Sequence, residues 1–192
     1  MTFQGATSLN IALIHHPVVN KRTEIIGSAV TNLDIHDIAR MARTYGVENY
    51  FITTPYNDQH LLVEELLEHW DNGHGATYNP ARKEALSIVS LCSSVDEVIA
   101  KLTSQYGKRP LLITTSAHKQ SNTILYDDLR KIIDNREPVL LLFGTAHGLA
   151  PEVMKDADGT LPPISGRTDY NHLSVRSAAS VIVDRLLGSR EG

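Results

Sequence analysis

Apolar, β-branched runs alternate with amphipathic stretches along this chain of 192 residues, and the alternation constrains its fold more than any other feature. Such runs are typical of buried strands, whereas apolar residues spaced at i, i+3 and i+4 are typical of helices. The pattern predicts strands over Leu9–Ile14, Asn49–Thr54, Leu86–Leu91, Leu111–Thr115 and Val139–Phe143. It predicts helices over Asp34–Tyr45, Asp58–Trp70, Val95–Tyr106, Tyr126–Asp134 and Leu173–Leu187, with a short helix from Pro151. This order indicates an α/β fold, in which a mostly parallel sheet carries helices on both faces.

Length and composition indicate one ordinary soluble domain over residues 1–192. No repeat or linker divides the chain, and its most loop-like segments are Asp71–Arg82 and His16–Thr31, the second a candidate active-site loop. Hydrophobic residues make up 42%, yet no apolar run approaches the ~20 residues that a membrane span needs. The N-terminus lacks a signal-peptide pattern, and the single cysteine, Cys92, lies in an apolar run. We therefore expect a cytoplasmic protein with a buried thiol.

Several classes of protein are disfavoured by charge and motif. A net charge of -4 argues against a protein that coats nucleic acid over its whole surface, although a local basic patch remains compatible with it. The chain has neither a nucleotide P-loop nor a Gly-x-Gly-x-x-Gly dinucleotide fingerprint. Its histidines lack zinc-protease spacing, and adjacent His15 and His16 would point to opposite faces of a strand. We therefore predict no metal site.

Three turns near the C-terminus are the strongest candidates for a ligand site. An apolar strand runs into the glycine-containing loop Gly144–Gly148, a Pro-Pro-Ile turn ends the segment Leu161–Ile164, and polar residues open the last helix within Asn171–Ala179. Parallel sheets bind ligands beyond the carboxyl ends of their strands, where such turns meet. The three turns together predict one pocket for a flat, polar ligand.

The helix predicted from Asp34 carries a row of cations. Asp34 is expected to cap its N-terminus, and Gly46 to end it in the left-handed conformation. His36, Arg40 and Arg43 follow one another at i, i+4 and i+7, so they share one face of the helix. This pattern fits a solvated surface and a cationic site for phosphate or a developing anion equally well.

These segments together resemble the SPOUT (SpoU–TrmD) superfamily of RNA methyltransferases. The stretch from Asp34 to Val47 resembles the first SpoU motif, in which an arginine precedes an aromatic-Gly pair. The stretch Leu140–Leu149 resembles the second motif, and Leu161–Ala179 the third. The closest resemblance is to the small SPOUT domain that occurs alone or fused behind the tRNA guanine-N1 methyltransferase TrmD. It implies a C-terminal trefoil knot, bound S-adenosylmethionine, and a homodimer with its active site at the interface.

The resemblance also assigns roles to individual residues. Arg40 takes the place of the SpoU-type catalytic arginine, and His172 and Ser174 are the other catalytic candidates, with His147 a further possible proton acceptor. Arg43 and Arg167 are candidates to hold phosphate. The positions that correspond to the cofactor site are Thr115, Ser116, Ala117, Phe143, Gly144, Thr145, Gly148, Leu149, Pro163, Ile164, Asn171, Leu173 and Val175.

The expected function is methyl transfer from S-adenosylmethionine to RNA, with tRNA as the expected substrate, at a ribose 2′-oxygen or on a base. The alternative is a non-catalytic module that binds cofactor or tRNA and positions a partner enzyme. Motif departures favour that alternative: Asp34, His36 and Met41 replace the usual first-motif residues, and Thr145-Ala146 replaces the usual Asn-Glu of the second.

Overall fold

Six parallel strands form the central sheet of the computed structural model, which describes residues 7–72 and 78–189. In spatial order the strands are β5, β4, β1, β7, β6 and β8. Their bounds are β1 Leu9–Ile14, β4 Asn49–Thr53, β5 Val89–Cys92, β6 Leu111–Thr114, β7 Val139–Gly144 and β8 Gly159–Thr160. Every neighbouring pair is parallel, which confirms the predicted α/β class.

Seven helices connect or cover these strands within the described residues. They are α1 Asn32–Tyr45, α2 Asn57–Asp71, α3 Pro80–Leu86, α4 Val95–Tyr106, α5 Tyr126–Asp134, α6 Pro151–Lys155 and α7 Val175–Leu187. Alternate residues of β1 enter opposite hydrophobic clusters: Leu9, Ile11 and Leu13 face one side, Ala12 and Ile14 the other. Because both faces of the sheet are buried, its central strands are apolar throughout.

The N-terminal end of α1 corrects the prediction for Asp34. The cap is Thr31, whose hydroxyl accepts a hydrogen bond from the Asp34 backbone N–H at 3.2 Å. Asp34 lies three residues further on, in the first turn, and its side chain is buried. Gly46 ends the helix at φ +74°, as predicted. Asp34 therefore follows the cap residue instead of forming the cap, and its carboxylate lies in the protein interior.

The region between α2 and β5 differs from its predicted structure. The strand predicted over Leu86–Leu91 begins only at Val89, because Asn79 and Pro80 start a helix that continues to Leu86. Asn79 caps this helix, and proline suits its first turn. The predicted loop Asp71–Arg82 therefore contains the start of α3, and its residues 73–77 lie outside the described range.

The segment predicted as the loop His16–Thr31 contains a small antiparallel hairpin. Its strands are β2 Val18–Val19 and β3 Ile25–Ile26. The Val19 N–H donates to the Gly148 carbonyl at 2.9 Å, and the His147 N–H donates to the Val19 carbonyl at 3.0 Å. The hairpin is thus joined to the loop that follows β7.

Candidate active site

A large cavity lies where the loops after β6, β7 and β8 converge. Its volume is about 1080 Å³, and loop residues from these three strands line most of it. The β2–β3 hairpin and the first turns of α1 and α7 complete the wall. The three turns singled out in the sequence therefore meet at one site.

Side chains cross-link these loops. The Asn171 amide donates to the Ala117 carbonyl at 2.9 Å, which joins the loop before α7 to the loop after β6. The Thr115 hydroxyl donates to the Leu142 carbonyl at 2.9 Å, which joins the loop after β6 to β7. Such cross-links preorganise the backbone groups that line the cavity.

The two glycines of the loop after β7 are required for different reasons. A Cβ on Gly144 would lie 2.6 Å from the Leu149 backbone nitrogen, so only glycine lets the loop close on itself. Gly148 has open space around it but adopts φ +115°, a conformation that other residues rarely take. The sequence assigned both glycines to the cofactor site, and in the structure the close approach at Gly144 is to its own loop, at Gly148 and Leu149.

The floor of the cavity holds an ion pair that sequence reasoning missed. Arg176, in the first turn of α7, donates to the buried Asp34 carboxylate at 2.7 Å. The other Asp34 oxygen accepts from the Thr31 hydroxyl at 2.7 Å. Asp34 and Arg176 are separated by 142 residues in sequence, so no local motif could have paired them. This pair joins the N-terminal ends of α1 and α7 beneath the cavity.

A hydrogen-bonded chain leads from the cavity wall into the core. The hydroxyls of Ser28 and Thr145 lie 2.5 Å apart, and both residues line the cavity. Ser28 in turn contacts Nδ1 of His15 at 3.0 Å. Burial lowers the pKa of His15 to about 4, outweighing the opposite effect of the nearby Asp34 carboxylate. His15 is therefore neutral at physiological pH.

Most residues assigned by the resemblance line this cavity. The cofactor positions that do so are Thr115, Ser116, Ala117, Phe143, Gly144, Thr145, Gly148, Leu149, Ile164, Asn171, Leu173 and Val175. Pro163 is absent from the lining, where its neighbours Pro162 and Ile164 contribute instead. His147, His172 and Ser174 also line the cavity. Their roles in binding or catalysis stay predictions.

Ser174 has a clear structural role. It is the N-cap of α7, and its hydroxyl accepts the Ser177 N–H at 3.3 Å. The helix predicted from Leu173 therefore begins at Val175. A hydroxyl used in this way is less available as a catalytic group.

The arginines of α1 do not line the cavity. Arg40 is exposed and takes no part in the lining. Arg43 pairs with Glu84 of α3 at 2.7 Å, so this candidate phosphate ligand already has an anionic partner. Within one protomer, the only arginine side chain at the cavity is Arg176, as far as the described residues show.

Three further findings concern metal ligands, the single thiol and membrane-spanning helices. No group of three or more potential ligand side chains that could hold a metal occurs among residues 7–72 and 78–189. Cys92 is buried, as expected. In the same described ranges, no helix combines the length and the apolar character needed to cross a membrane.

Solved structures with the same fold include RNA-modifying enzymes and methylase family proteins. A putative methylase family protein from Neisseria gonorrhoeae aligns with a TM-score of 0.62 and 17% identity, over 96% of this chain and 84% of that one. The TrmH/SpoU tRNA modifying enzyme of A. aeolicus aligns with a TM-score of 0.58 and 14% identity, over 97% and 77%. The SpoU methyltransferase AviRb of Streptomyces viridochromogenes, solved with AdoMet, aligns with a TM-score of 0.56 and 18% identity. The alignment covers 93% of this chain and 56% of that one. These similarities show the SPOUT fold, while the knot itself stays an expectation.

Closer relatives are found by sequence. A tRNA (guanine-N(1)-)-methyltransferase of Oleidesulfovibrio alaskensis is 49% identical over 94% of this chain, and one of Nitratidesulfovibrio vulgaris is 44% identical over 94%. The chain spans only 42% of the length of each of these proteins. An uncharacterized protein of Aquifex aeolicus is 41% identical over 92% of this chain and 86% of its own length.

A family model described as SAM-dependent RNA methyltransferase matches residues 8–188. The matched range includes every strand and helix of the fold and every residue that lines the cavity. The chain therefore belongs to the family of SAM-dependent RNA methyltransferases.

Proposed function

We propose that this protein transfers the methyl group of S-adenosylmethionine to tRNA in the cytoplasm. The observation that carries the proposal is the single cavity built by the loops after β6, β7 and β8, within a chain whose family uses this cofactor on RNA. The two most similar relatives described above are named as tRNA methyltransferases, which supports tRNA as the substrate class.

The residues at the cavity fit S-adenosylmethionine. The volume of about 1080 Å³ is ample for a nucleoside joined to an amino acid. The loop residues from Thr115 to Ala117 and from Gly144 to Gly148 would hold the adenosine through backbone groups, with Leu149 and Ile164 as apolar walls. When bound, the cofactor supplies an electrophilic methyl group to the acceptor. The task of the chain is to orient the acceptor and remove its proton.

Arg40 is proposed to act from a second copy of the chain. It is exposed on α1 and does not line the cavity of its own protomer, so a role at the reacting atom requires a homodimer with a shared site. An arginine is a poor base because its pKa exceeds ~12, so we assign it to stabilising negative charge on the acceptor. Leu33, 61% exposed on the same helix, is consistent with an interface there.

The acceptor is a ribose 2′-hydroxyl or a guanine base. In either case one proton must leave, and His172 and His147, which both line the cavity, are the proposed acceptors, since an imidazole can act as a general base. Two relatives are named guanine-N1 methyltransferases, which supports a base as the methyl acceptor. Each of those proteins is more than twice as long as the region that matches this chain. That length is also consistent with a domain that is fused to, or associates with, a TrmD-type enzyme.

One set of observations favours the non-catalytic alternative. Both oxygens of Asp34 are already hydrogen-bonded, and the Ser174 hydroxyl caps α7. Because these polar groups are engaged in structural hydrogen bonds, they are less available for catalysis. In this alternative the chain binds cofactor or tRNA and positions a partner enzyme.

The deciding experiment is incubation with labelled S-adenosylmethionine and total tRNA, followed by mass spectrometry of the nucleosides. We expect label in one modified nucleoside, a 2′-O-methylated nucleoside or 1-methylguanosine. Cofactor binding without transfer to any tRNA would support the non-catalytic module instead.

A further inference from the structure

The positively charged side chains of this protein fall into two groups that differ in their partners. Away from the cavity, most lysines and arginines pair with carboxylates, as Arg43, Lys101, Lys108, Arg109 and Lys131 do. Six make no side-chain ion pair, hydrogen bond or ring contact within the described residues: Lys21, Arg22, Arg40, Lys119, Lys155 and Arg167. A cation with no internal partner is available to an external anion.

Five of these six lie in the segments that form the cavity. Lys21 lines it and Arg22 follows at the tip of the β2–β3 hairpin. Lys119 lies between the lining residues His118 and Gln120. The other two are Lys155, next to the lining residue Met154, and Arg167, in the loop between Ile164 and Asn171.

The local charge of these segments is opposite to that of the whole chain. Residues 20–24, 116–120, 143–155 and 161–174 contain five lysines and arginines against three carboxylates, Glu24, Glu152 and Asp169. The Glu24 carboxylate accepts a hydrogen bond from the Asn20 amide at 2.7 Å, which holds it at the base of the hairpin tip. The chain as a whole carries a net charge of -4. Five cations less three carboxylates give these segments a net charge of +2.

An exposed aromatic ring accompanies these cations. Tyr170 is 75% exposed and contacts His172 edge to face, with ring centroids 5.4 Å apart. His172 itself lines the cavity. Unpaired cations beside an exposed aromatic ring match single-stranded RNA, which offers phosphates for the cations and unstacked bases for the ring.

We propose that Lys21, Arg22, Lys119 and Arg167 form a cationic rim that binds RNA phosphates, and that Tyr170 stacks on a base beside the acceptor nucleotide. The proposal rests on the proposed function, since it concerns how RNA reaches the same cavity. Phosphates on the rim position the strand, and stacking on Tyr170 holds an unpaired nucleotide over the opening.

The rim is tested by RNA binding at several salt concentrations. In one variant all four rim residues are replaced by glutamine; in a matched control, Lys83, Lys108, Arg109 and Lys131, which pair with carboxylates elsewhere, are replaced in the same way. Fluorescence anisotropy with labelled total tRNA gives the slope of log affinity against log salt concentration. Each lost phosphate contact lowers that slope by ~0.7–0.9, so we expect a loss of about three in the rim variant and less than one in the control.

Tyr170 is tested separately. Tyr170→Ala is expected to weaken tRNA binding about tenfold with an unchanged salt slope, whereas Tyr170→Phe keeps the affinity because it keeps the ring. Equal losses in both variants would exclude stacking. Calorimetry with S-adenosylhomocysteine completes the set, and we expect its affinity to be unchanged in the rim variant.

The outcomes separate the rim from the proposed function. Equal salt slopes for the rim and control variants, with tRNA still bound and methylated, would overturn the rim alone. If the rim variant loses affinity for S-adenosylhomocysteine as strongly as for tRNA, these residues belong to the cofactor site, and the rim proposal is also overturned. A wild type that binds no tRNA would overturn the rim together with the proposed function.

Discussion

Arg40 is the residue on which the proposed chemistry depends most. Because it is exposed and makes no side-chain hydrogen bond or ion pair with described residues, Arg40→Ala should cost little stability. Removing one charge-stabilising donor typically lowers the rate by ~10²–10³. We expect this loss in single-turnover methyl transfer, with the affinity for S-adenosylhomocysteine nearly unchanged. Arg40→Lys should restore activity only in part, since lysine lacks the planar fork. Equal rates in all three proteins would remove Arg40 from the mechanism.

His15 makes stability depend on pH. Its pKa is about 4 in the folded protein against 6.5 for the free side chain, so the unfolded chain takes up a proton first as the pH falls. The contribution of neutral His15 to the free energy of unfolding is complete above pH 6.5 and is lost as the pH falls towards 4. It amounts to about 3 kcal/mol of the free energy of unfolding. His36, whose pKa burial also lowers, acts in the same direction.

Urea denaturation between pH 4 and 7 measures this effect. We expect the stability of His15→Asn to change less with pH than that of the wild type, since asparagine keeps a hydrogen-bonding group near Ser28 but does not titrate. Parallel curves for the two proteins would show that His15 is not buried as a neutral group.

Helices α1 and α7 are held together at their N-terminal ends by Asp34 and Arg176. Arg176→Met leaves a buried carboxylate with only the Thr31 hydroxyl as a partner. Because the Arg176 side chain is about one third exposed, we expect a loss of about 1–3 kcal/mol in the free energy of unfolding, less than for a fully buried pair. Adding Asp34→Asn should recover part of the loss by removing the uncompensated charge. A double variant no more stable than Arg176→Met would argue against this pair as the cause.

Elements with one clear periodicity could be predicted to the residue from the sequence. Leu9–Ile14, Val95–Tyr106 and Tyr126–Asp134 match the structure at both ends. An apolar run marks the first, and Ser94 and Gly107 cap the second. The β2–β3 hairpin was missed, since two-residue strands carry almost no periodic signal. The pairs Val18-Val19 and Ile25-Ile26, separated by a polar turn, were the available indication.

The candidate site could be predicted in part for a related reason. Strand-end loops are local in sequence, so the cavity walls followed from the order of the elements. Some contacts at the cavity join distant segments: Ser28 meets Thr145 across 117 residues. Such contacts depend on how loops from distant parts of the chain meet beside the sheet, which a single sequence does not specify.

At the scale of the whole molecule, a homodimer with shared sites makes a specific prediction. Arg40→Ala retains an intact cavity, while Gly144→Ala disrupts the loop after β7 and retains Arg40. If Arg40 acts across an interface, mixing the two inactive proteins should restore up to about a quarter of wild-type activity. Random pairing makes about half of the dimers mixed, and each mixed dimer has one complete site out of two. Light scattering should give about twice the monomer mass of 21.2 kDa. A monomeric mass, or no recovery on mixing despite subunit exchange, would place Arg40 outside the site.

The central claim is that the three C-terminal loops form the cofactor site, and S-adenosylhomocysteine binding measured by calorimetry tests it most directly. Wild type should bind one molecule per protomer. Gly144→Ala should bind at least about tenfold more weakly, because its Cβ would lie 2.6 Å from the Leu149 nitrogen and force the loop open. Gly166→Ala is the matched control, since a Cβ there meets nothing within 4 Å, and it should bind like wild type. No binding by the wild type, or equal binding by all three proteins, would contradict the assignment of this cavity.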